Sequence, residues 1–313
     1  MVLLPFFMMY RQQVSRDSSG ARSGPLSWSR TVERELVHRV SVAEVLLTDV
    51  RASGLGEFLA AAVWTRSHPT FPRGRDDRHS PWMAVETLRQ LGIYIPLRYY
   101  AVPATAHFLI TDVAFTLDPA AEPRARQAAS EITCLVSVDG VRTARDRSAP
   151  TGLRMRVRYL SGGRAFAAAW GGARFVDAAG YAALRAGAGT PLPTGPRPRP
   201  RPAEAGVESP ADVVLSLGRT GPLMDAADPR HPFLFDHGTD HVPGMALLEA
   251  ARQAVALRSA GHFTRPTACH MKALRFTEHS PPARVECVQH HHTCVFRFRQ
   301  GDTETAVGVL RYQ

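Results

Sequence analysis

The sequence predicts an α+β protein made of two copies of one unit, each an antiparallel sheet wrapped around a single buried helix. Two observations carry this expectation. First, His68, Pro69, Glu86, Arg89 and Gln90 recur as His231, Pro232, Glu249, Arg252 and Gln253, each pair 163 positions apart (231 − 68, 249 − 86). A shared register over five such residues marks a duplicated unit. Acids and histidines are copied along with apolar positions, so a site is expected to have been copied with the fold. Second, the segment around the second copy is apolar on two sides. Met245, Leu248, Ala251 and Val255 make one stripe; Leu247, Ala250, Ala254 and Leu257 make another. A helix of that kind is wrapped by other structure. Its remaining polar strip, Glu249, Arg252 and Gln253, falls at i, i+3 and i+4 on one face.

The elements follow in order. Residues 1–30 read as a poorly ordered tail. Their apolar run, MVLLPFFMMY, has no preceding positive region and is too short to span a bilayer. Residues 31–183 form the first unit and 209–313 the second. Between them, 184–208 is a Pro/Arg-rich linker. Arginine and proline alternate in TGPRPRPRP, which suits neither helix nor central strand and is expected to be extended. Each unit opens with an expected strand (44–47 and 212–215), followed by a His-Pro loop, the helix and several strands. The first helix is capped by Ser80 with Pro81 at its first position, and Gly92 offers a stop. The second opens at Pro243 and closes at Gly261. Residues 109–117 then parallel 270–278, with Phe115-Thr116 set against Phe276-Thr277. Residues 156–166 resemble 296–306, which implies an insertion in the first copy between Asp139 and Thr151. One buried helix followed by antiparallel strands describes a hot-dog fold. Two copies make a double hot dog, with two sheets each wrapped around its own helix.

Composition narrows the function. The apolar fraction of 44% belongs to a globular chain. The net charge is +10, yet Lys272 is the only lysine. Abundant Arg, Ala, Pro and Gly is what a GC-rich genome produces without selection for phosphate binding. With neither zinc-finger spacing nor an aromatic-interleaved basic patch, nucleic acid is not an expected partner. An acidic metabolite or carrier protein remains compatible with the charge. The four cysteines form no CxxC pair, which fits a reducing cytosol. His290-His291-His292 alternates faces along a strand and matches no zinc spacing, so neither metal nor cofactor is expected.

The segment HPFLFDHGTDHVPGMALLEAARQA (231–254) resembles the signature of the A-factor biosynthesis (AfsA) family of γ-butyrolactone synthases. Residues 37–49, the His68-Pro69 pair, and 84–93 followed by Val102-Pro103 agree with it in the first half. The resemblance covers nearly the whole chain outside the tail and linker. More distantly, Gly244, Glu249 and Gln253 keep the spacing of hot-dog hydroxyacyl-carrier dehydratases, whose loop histidine matches His237, with His241 as the competitor. The family resemblance implies an acyltransferase. It would join a β-ketoacyl group, delivered as a thioester on acyl carrier protein, to the hydroxyl of dihydroxyacetone phosphate. The phosphorylated ester would then close to a butenolide.

Such chemistry needs a polarised thioester carbonyl and a base. The first turn of a helix offers unpaired N–H groups and a positive dipole end, and Gly244 allows close approach. A glutamate on an apolar helix is expected to have its pKa raised by desolvation. The candidate catalytic set is therefore Glu249, His237, His241 and Gly244. Arg252, Gln253, Lys272 and Arg275 are candidates for substrate, and His68, Glu86, Arg89 and Gln90 for a second site. The second half is expected to hold the better-formed site, because Pro81-Trp82 stands where it has Pro-Gly. Without a Gly-x-Ser-x-Gly elbow, direct transfer is favoured over an acyl-enzyme.

Plainer readings compete. Glu–Arg pairs at i, i+3 can simply satisfy a buried helix. His-Pro pairs can form turns, and Asp236 and Asp240 can orient a histidine. Arg154, Arg156 and Arg158 can line a solvated strand face or dock an acidic carrier. As whole functions, a hot-dog dehydratase or thioesterase and a non-catalytic acyl- or lactone-binding protein are the alternatives. The duplication makes a monomer plausible, with a homodimer open.

Overall fold

The computed structural model describes residues 24–66, 68, 77–125, 129–144, 149–188 and 195–313. Most of the expected tail and Pro69 lie outside the described residues. Residues 24–30, assigned to the tail, instead lie against the first strand. Ser27 N–H donates to Asp49 (3.1 Å) and Arg51 to the Gly24 carbonyl (2.6 Å).

The first unit contains β1 (Leu47–Gly54), β2 (Glu57–Thr65), α1 (Trp82–Tyr99), β3 (His107–Leu117), β4 (Ala129–Thr143), β5 (Pro150–Ser161), β6 (Arg164–Val176) and α2 (Ala178–Arg185). After the single turn α3 (Pro202–Ala205) come β7 (Leu215–Gly218), β8 (Gly221–Met224), α4 (Gly244–Arg258), β9 (Ala268–Ala273), β10 (Arg284–His290), β11 (Thr293–Gln300) and β12 (Thr303–Arg311). Among the described residues the twelve strands form one antiparallel sheet in the order β1-β2-β4-β5-β6-β3-β9-β12-β11-β10-β8-β7. The two expected sheets are thus halves of one. They join where β3 pairs with β9, from Asp112 opposite Lys272 to Thr116 opposite Ala268. Each half covers an edge that the other would leave open.

Other boundaries moved for local reasons. Both opening strands start later than expected, because Val42–Glu44 and Pro210–Asp212 are 3₁₀ turns. Ser41 and Ser209 accept from the Ala43 and Ala211 N–H groups and hold these turns. Gly92 does not stop α1, which runs on to Tyr99. Burial of Leu91, Ile93 and Ile95 outweighs the roughly 1 kcal/mol a mid-helix glycine costs. Gly261 does close α4. It sits at φ +84° and its N–H reaches the Ala256 carbonyl at 2.8 Å. Phe276-Thr277 falls beyond β9, because the Leu274 and Arg275 N–H groups both turn to the Thr305 carbonyl and end the ladder. The insertion lengthens β4 and β5 to 15 and 12 residues, against 7 and 8 in β10 and β11. Residues 195–201 are extended, but they already belong to the second unit, since the Leu217 N–H donates to the Pro198 carbonyl at 2.7 Å.

Each helix lies on the inner face of its half. Under α1, Trp64, Tyr159 and Phe166 cluster, and the Tyr159 hydroxyl donates to the Ala84 carbonyl at 2.6 Å. In the second half Phe296 and Phe298 are fully buried. A Cβ on Gly308 would lie 2.4 Å from both the His270 carbonyl oxygen and Phe296 Cζ, so only glycine fits there. This packing leaves the two polar helix strips as buried polar islands, and their partners decide what they can do.

Candidate active site

The strip of α4 is closed on itself. One Glu249 oxygen accepts from Arg252 (2.6 Å) and Gln253 (2.8 Å), the other from Arg252 (2.9 Å) and the Trp82 indole N–H (2.7 Å). Arg252 also donates to the Thr264 and Ala205 carbonyls, both at 3.2 Å. Gln253 donates to the Asp212 carbonyl and accepts from the Val214 N–H, pinning the entry to β7. The expectation of a raised Glu249 pKa is corrected. Burial does push it up, but the Arg252 charge and the donors from Arg252, Gln253 and Trp82 overcome that, and the net shift is downward. A carboxylate so saturated is a poor base. Arg252 and Gln253 spend their donors within the same network.

The strip of α1 repeats this pattern with one change. Glu86, fully buried, takes two bonds from Arg89 (2.8 and 2.9 Å) and one from Gln90 (2.7 Å). Where Glu249 has Trp82, Glu86 has a second guanidinium, Arg39, at 2.9 Å. Burial pushes the Glu86 pKa up, but Arg39 and Arg89 bring it down to about 2. Gln90 holds the Leu46 and Leu47 N–H groups and the Glu44 carbonyl, as Gln253 does in its half. The His-Pro histidines are anchors of the same kind. His68 Nε2 lies 2.9 Å from Glu44, and His231 Nε2 lies 3.0 Å from Asp212. His231 Nδ1 accepts from Phe233 and Leu234, which assigns its proton to Nε2.

The two halves meet at these strips. Arg39 donates to the Phe233 carbonyl (2.9 Å) and stacks over the Phe233 ring, while the Val40 N–H donates to Asp236 (2.7 Å). The loop 231–242 of the second half is thereby docked on the α1 side of the first, beside Arg89. His237, next to Asp236, is exposed. Partial desolvation and the Arg89 and Arg39 charges, opposed by Asp236, hold its pKa below the ordinary imidazole value. His237 also lines an open cleft of about 530 Å³ with Asp225, Arg230, Phe235, Thr239 and His279. That volume suits a small-molecule site.

His241 belongs to a different cluster. Its Nδ1 lies 2.7 Å from Asp240, which also accepts from the Tyr181 hydroxyl (2.7 Å) and from Arg185 (3.1 Å). Arg185 makes two further bonds to Glu278, at 2.6 and 2.8 Å. In this way α2 clamps the loop from its far end. Gly244 is the first residue of α4, which has no side-chain cap among the described residues; a Cβ there would meet Ile110 at 3.6 Å. Lys272 and Arg275 are exposed, Lys272 at the join of the halves opposite Asp112. Arg154 pairs with Asp112 and Arg156 covers the Trp170 ring, on the sheet face away from the helices. Among the described residues no His/Cys/Asp/Glu group has the makings of a metal site, and no helix is long and apolar enough to cross a membrane.

The sequence reading missed Arg39, Trp82 and the clamp. A usable signal existed for Trp82: it occupies the place of Met245, a polar-tipped residue where the copy is apolar. Likewise the place of His237 is held by Gly74 in the first copy.

Comparison with known proteins fits this geometry. The family model described as the A-factor biosynthesis hotdog domain (AfsA) matches residues 21–177 and 223–310. The chain belongs to the AfsA family. Among AfsA relatives, a 2-oxo-3-(phosphooxy)propyl 3-oxoalkanoate synthase of Streptomyces virginiae is 34% identical over 265 residues, 82% of this chain and 86% of the relative. A synthase of the same name from Streptomyces griseus is 31% identical over 263 residues, covering 81% of this chain and 84% of the relative. Among solved structures, an acyl-ACP thioesterase from Bacteroides thetaiotaomicron aligns with a TM-score of 0.51 at 11% identity, over 82% of this chain and 98% of that one. That likeness supports the double hot-dog fold of this AfsA member.

Proposed function

We propose that this protein is the acyltransferase its AfsA relatives are named for. It moves a 3-oxoalkanoyl (β-ketoacyl) group from a thioester, carried on acyl carrier protein, to the hydroxyl of dihydroxyacetone phosphate. The observation that carries the assignment of the site is the docking of the 231–242 loop on the α1 strip. It sets an exposed, unprotonated imidazole, His237, beside cationic Arg89 at the edge of a cleft. His237 accepts the proton of the attacking hydroxyl; the oxygen then attacks the thioester carbonyl and the thiolate leaves with a proton. The first turn of α4 at Gly244 offers N–H groups to the carbonyl oxygen. Glu249 and Arg252, first candidates for base and phosphate ligand, are better read as the support of α4, and Tyr181, Asp240, His241 and Arg185 as supports of the loop.

Neither buried glutamate holds a proton at neutral pH, so neither supplies the acid that dehydration of a β-hydroxy thioester needs for its leaving hydroxyl. Each half finds in the other the neighbour that completes its sheet, which favours a working monomer, and a cytosolic setting fits such a substrate pair. The test is mass spectrometry of products from a β-ketoacyl thioester with and without dihydroxyacetone phosphate. The expected product is a phosphorylated ester that requires both substrates and His237. Thioester loss that ignores dihydroxyacetone phosphate would make this protein a thioesterase instead.

A further inference from the structure

The seam between the halves gathers cationic and imidazole groups. Residues 37–40 form its spine. Arg89 donates to the Val37 carbonyl (3.2 Å) at one end, and the Val40 N–H holds Asp236, the neighbour of His237, at the other (2.7 Å). Between them stands His38. Its backbone is left-handed (φ 50°), a conformation that a histidine adopts at some cost, and its ring is set edge-on against Phe108 at 5.2 Å. The next residue back along β3 is His107, whose ring stacks flat on Tyr181 at 3.9 Å. His38, His107, His237 and Arg89 thus reach this seam from a turn, a strand, a loop and a helix, and the other three lie near enough to His38 to act on it electrostatically. Arg89 is the outward member of the α1 strip, its side chain 26% exposed while Glu86 is at 0%. The acidic groups that face this seam are Glu86, already shared between Arg39 and Arg89, Asp236, farther off Glu44, and on the Tyr181 side Asp240 and Glu278, both paired with Arg185.

Contrast with α4 gives the seam its meaning. There one carboxylate meets one guanidinium. Here one carboxylate meets two, and the surplus cation points toward the surface. Desolvation first, and after it the Arg89 charge, push the His38 pKa down to about 4, so this imidazole stands neutral beside the guanidinium.

We propose that Arg89, with His38 and His107, binds the phosphate of the triose substrate, a monoester dianion, while His237 faces its hydroxyl. Only three carbons separate hydroxyl and phosphate in dihydroxyacetone phosphate, so base and anion site must be near neighbours, as they are at this seam. Arg89 gives its Nε and Nη2 donors to Glu86 and the Val37 carbonyl, which leaves Nη1 for a phosphate oxygen, and each imidazole offers a further N–H donor. This assignment rests on the acyl-transfer reading for the identity of the ligand.

The experiment is calorimetric binding of dihydroxyacetone phosphate, and separately of dihydroxyacetone, to the full chain without any acyl donor. Wild type is compared with His38→Asn, since asparagine tolerates the left-handed backbone, and with His107→Gln. The expected result is a preference for the phosphorylated ligand of at least tenfold in wild type that falls severalfold in both variants. An undiminished preference in the folded variants, or none in wild type, overturns the assignment. Because no turnover is needed, loss of the ester-forming reaction alone leaves this result standing. A phosphate preference that persists in the variants discards the seam while the reaction survives.

Discussion

The helices α1 and α4 carry the same polar strip by descent, yet the strips have become different devices. Around Glu249 the fourth donor is a neutral indole from the other half, and the network is charge-balanced and sealed. Around Glu86 it is the Arg39 guanidinium, and the network carries a surplus cation facing a histidine loop. A duplicated pattern thus preserves the anchor, in which Gln90 and Gln253 pin the strands and the glutamates pin the glutamines. It does not preserve the chemistry, which depends on what the opposite half presents. Gly74 in the place of His237 tells the same story, since only one of the two strips can face this histidine.

The strongest test of that asymmetry is activity. His237→Ala is expected to lower ester formation by about 10²–10⁴-fold, the usual worth of a general base, with the melting temperature unchanged. Glu249→Gln should instead act mainly on stability. Equal losses of turnover from both changes in folded protein would erase the distinction between the strips. Next in size is Glu86→Gln, which strands the buried Arg39 and the partly exposed Arg89 and is expected to cost about 3–5 kcal/mol by denaturant titration. Glu249→Gln strands one and should cost less; the reverse order would mean that Arg39 is not held by Glu86.

Acid sharpens the comparison. The folded pKa of Glu86 lies at about 2, below its ordinary 4.5, so its contribution is fully present above 4.5 and is lost as pH falls toward 2. That contribution is roughly 3 kcal/mol. In Glu86→Gln the acid limb of stability between those values should flatten. For catalysis, the depressed His237 pKa places the acid limb of kcat/KM below pH 6.5, with a plateau at neutrality. A limb centred above 6.5 would assign the base elsewhere. The smallest effect is expected from Trp82→Phe, which removes one charge-assisted bond to Glu249 and costs about 1.5 kcal/mol while turnover persists.

Much of this was legible in the residues. The 163-residue register gave the duplication, the two-sided apolar helix gave its burial, and Gly261 closed α4 just past its end, its N–H on the Ala256 carbonyl. Strand starts were misplaced equally in both copies, because short serine-capped turns before a strand look like strand in composition. The expected upward pKa shift of Glu249 failed for a different reason. Desolvation can be guessed from an apolar helix, but the sign of a pKa shift depends on how many donors reach the carboxylate. Trp82 lies 167 residues away along the chain.

Sequence alone determined the local grammar of this protein. It set the helices, the i, i+3, i+4 strips, the His-Pro anchors and the family, because these follow from spacing along a single chain. Tertiary structure alone decided that the two sheets become one through β3 and β9, and that the second-half loop lies on the first-half helix. It also decided which of two identical carboxylate strips is sealed. The reason is that charge balance in a buried site is set by groups brought together from both halves, and no local pattern records which side chain arrives from the other copy.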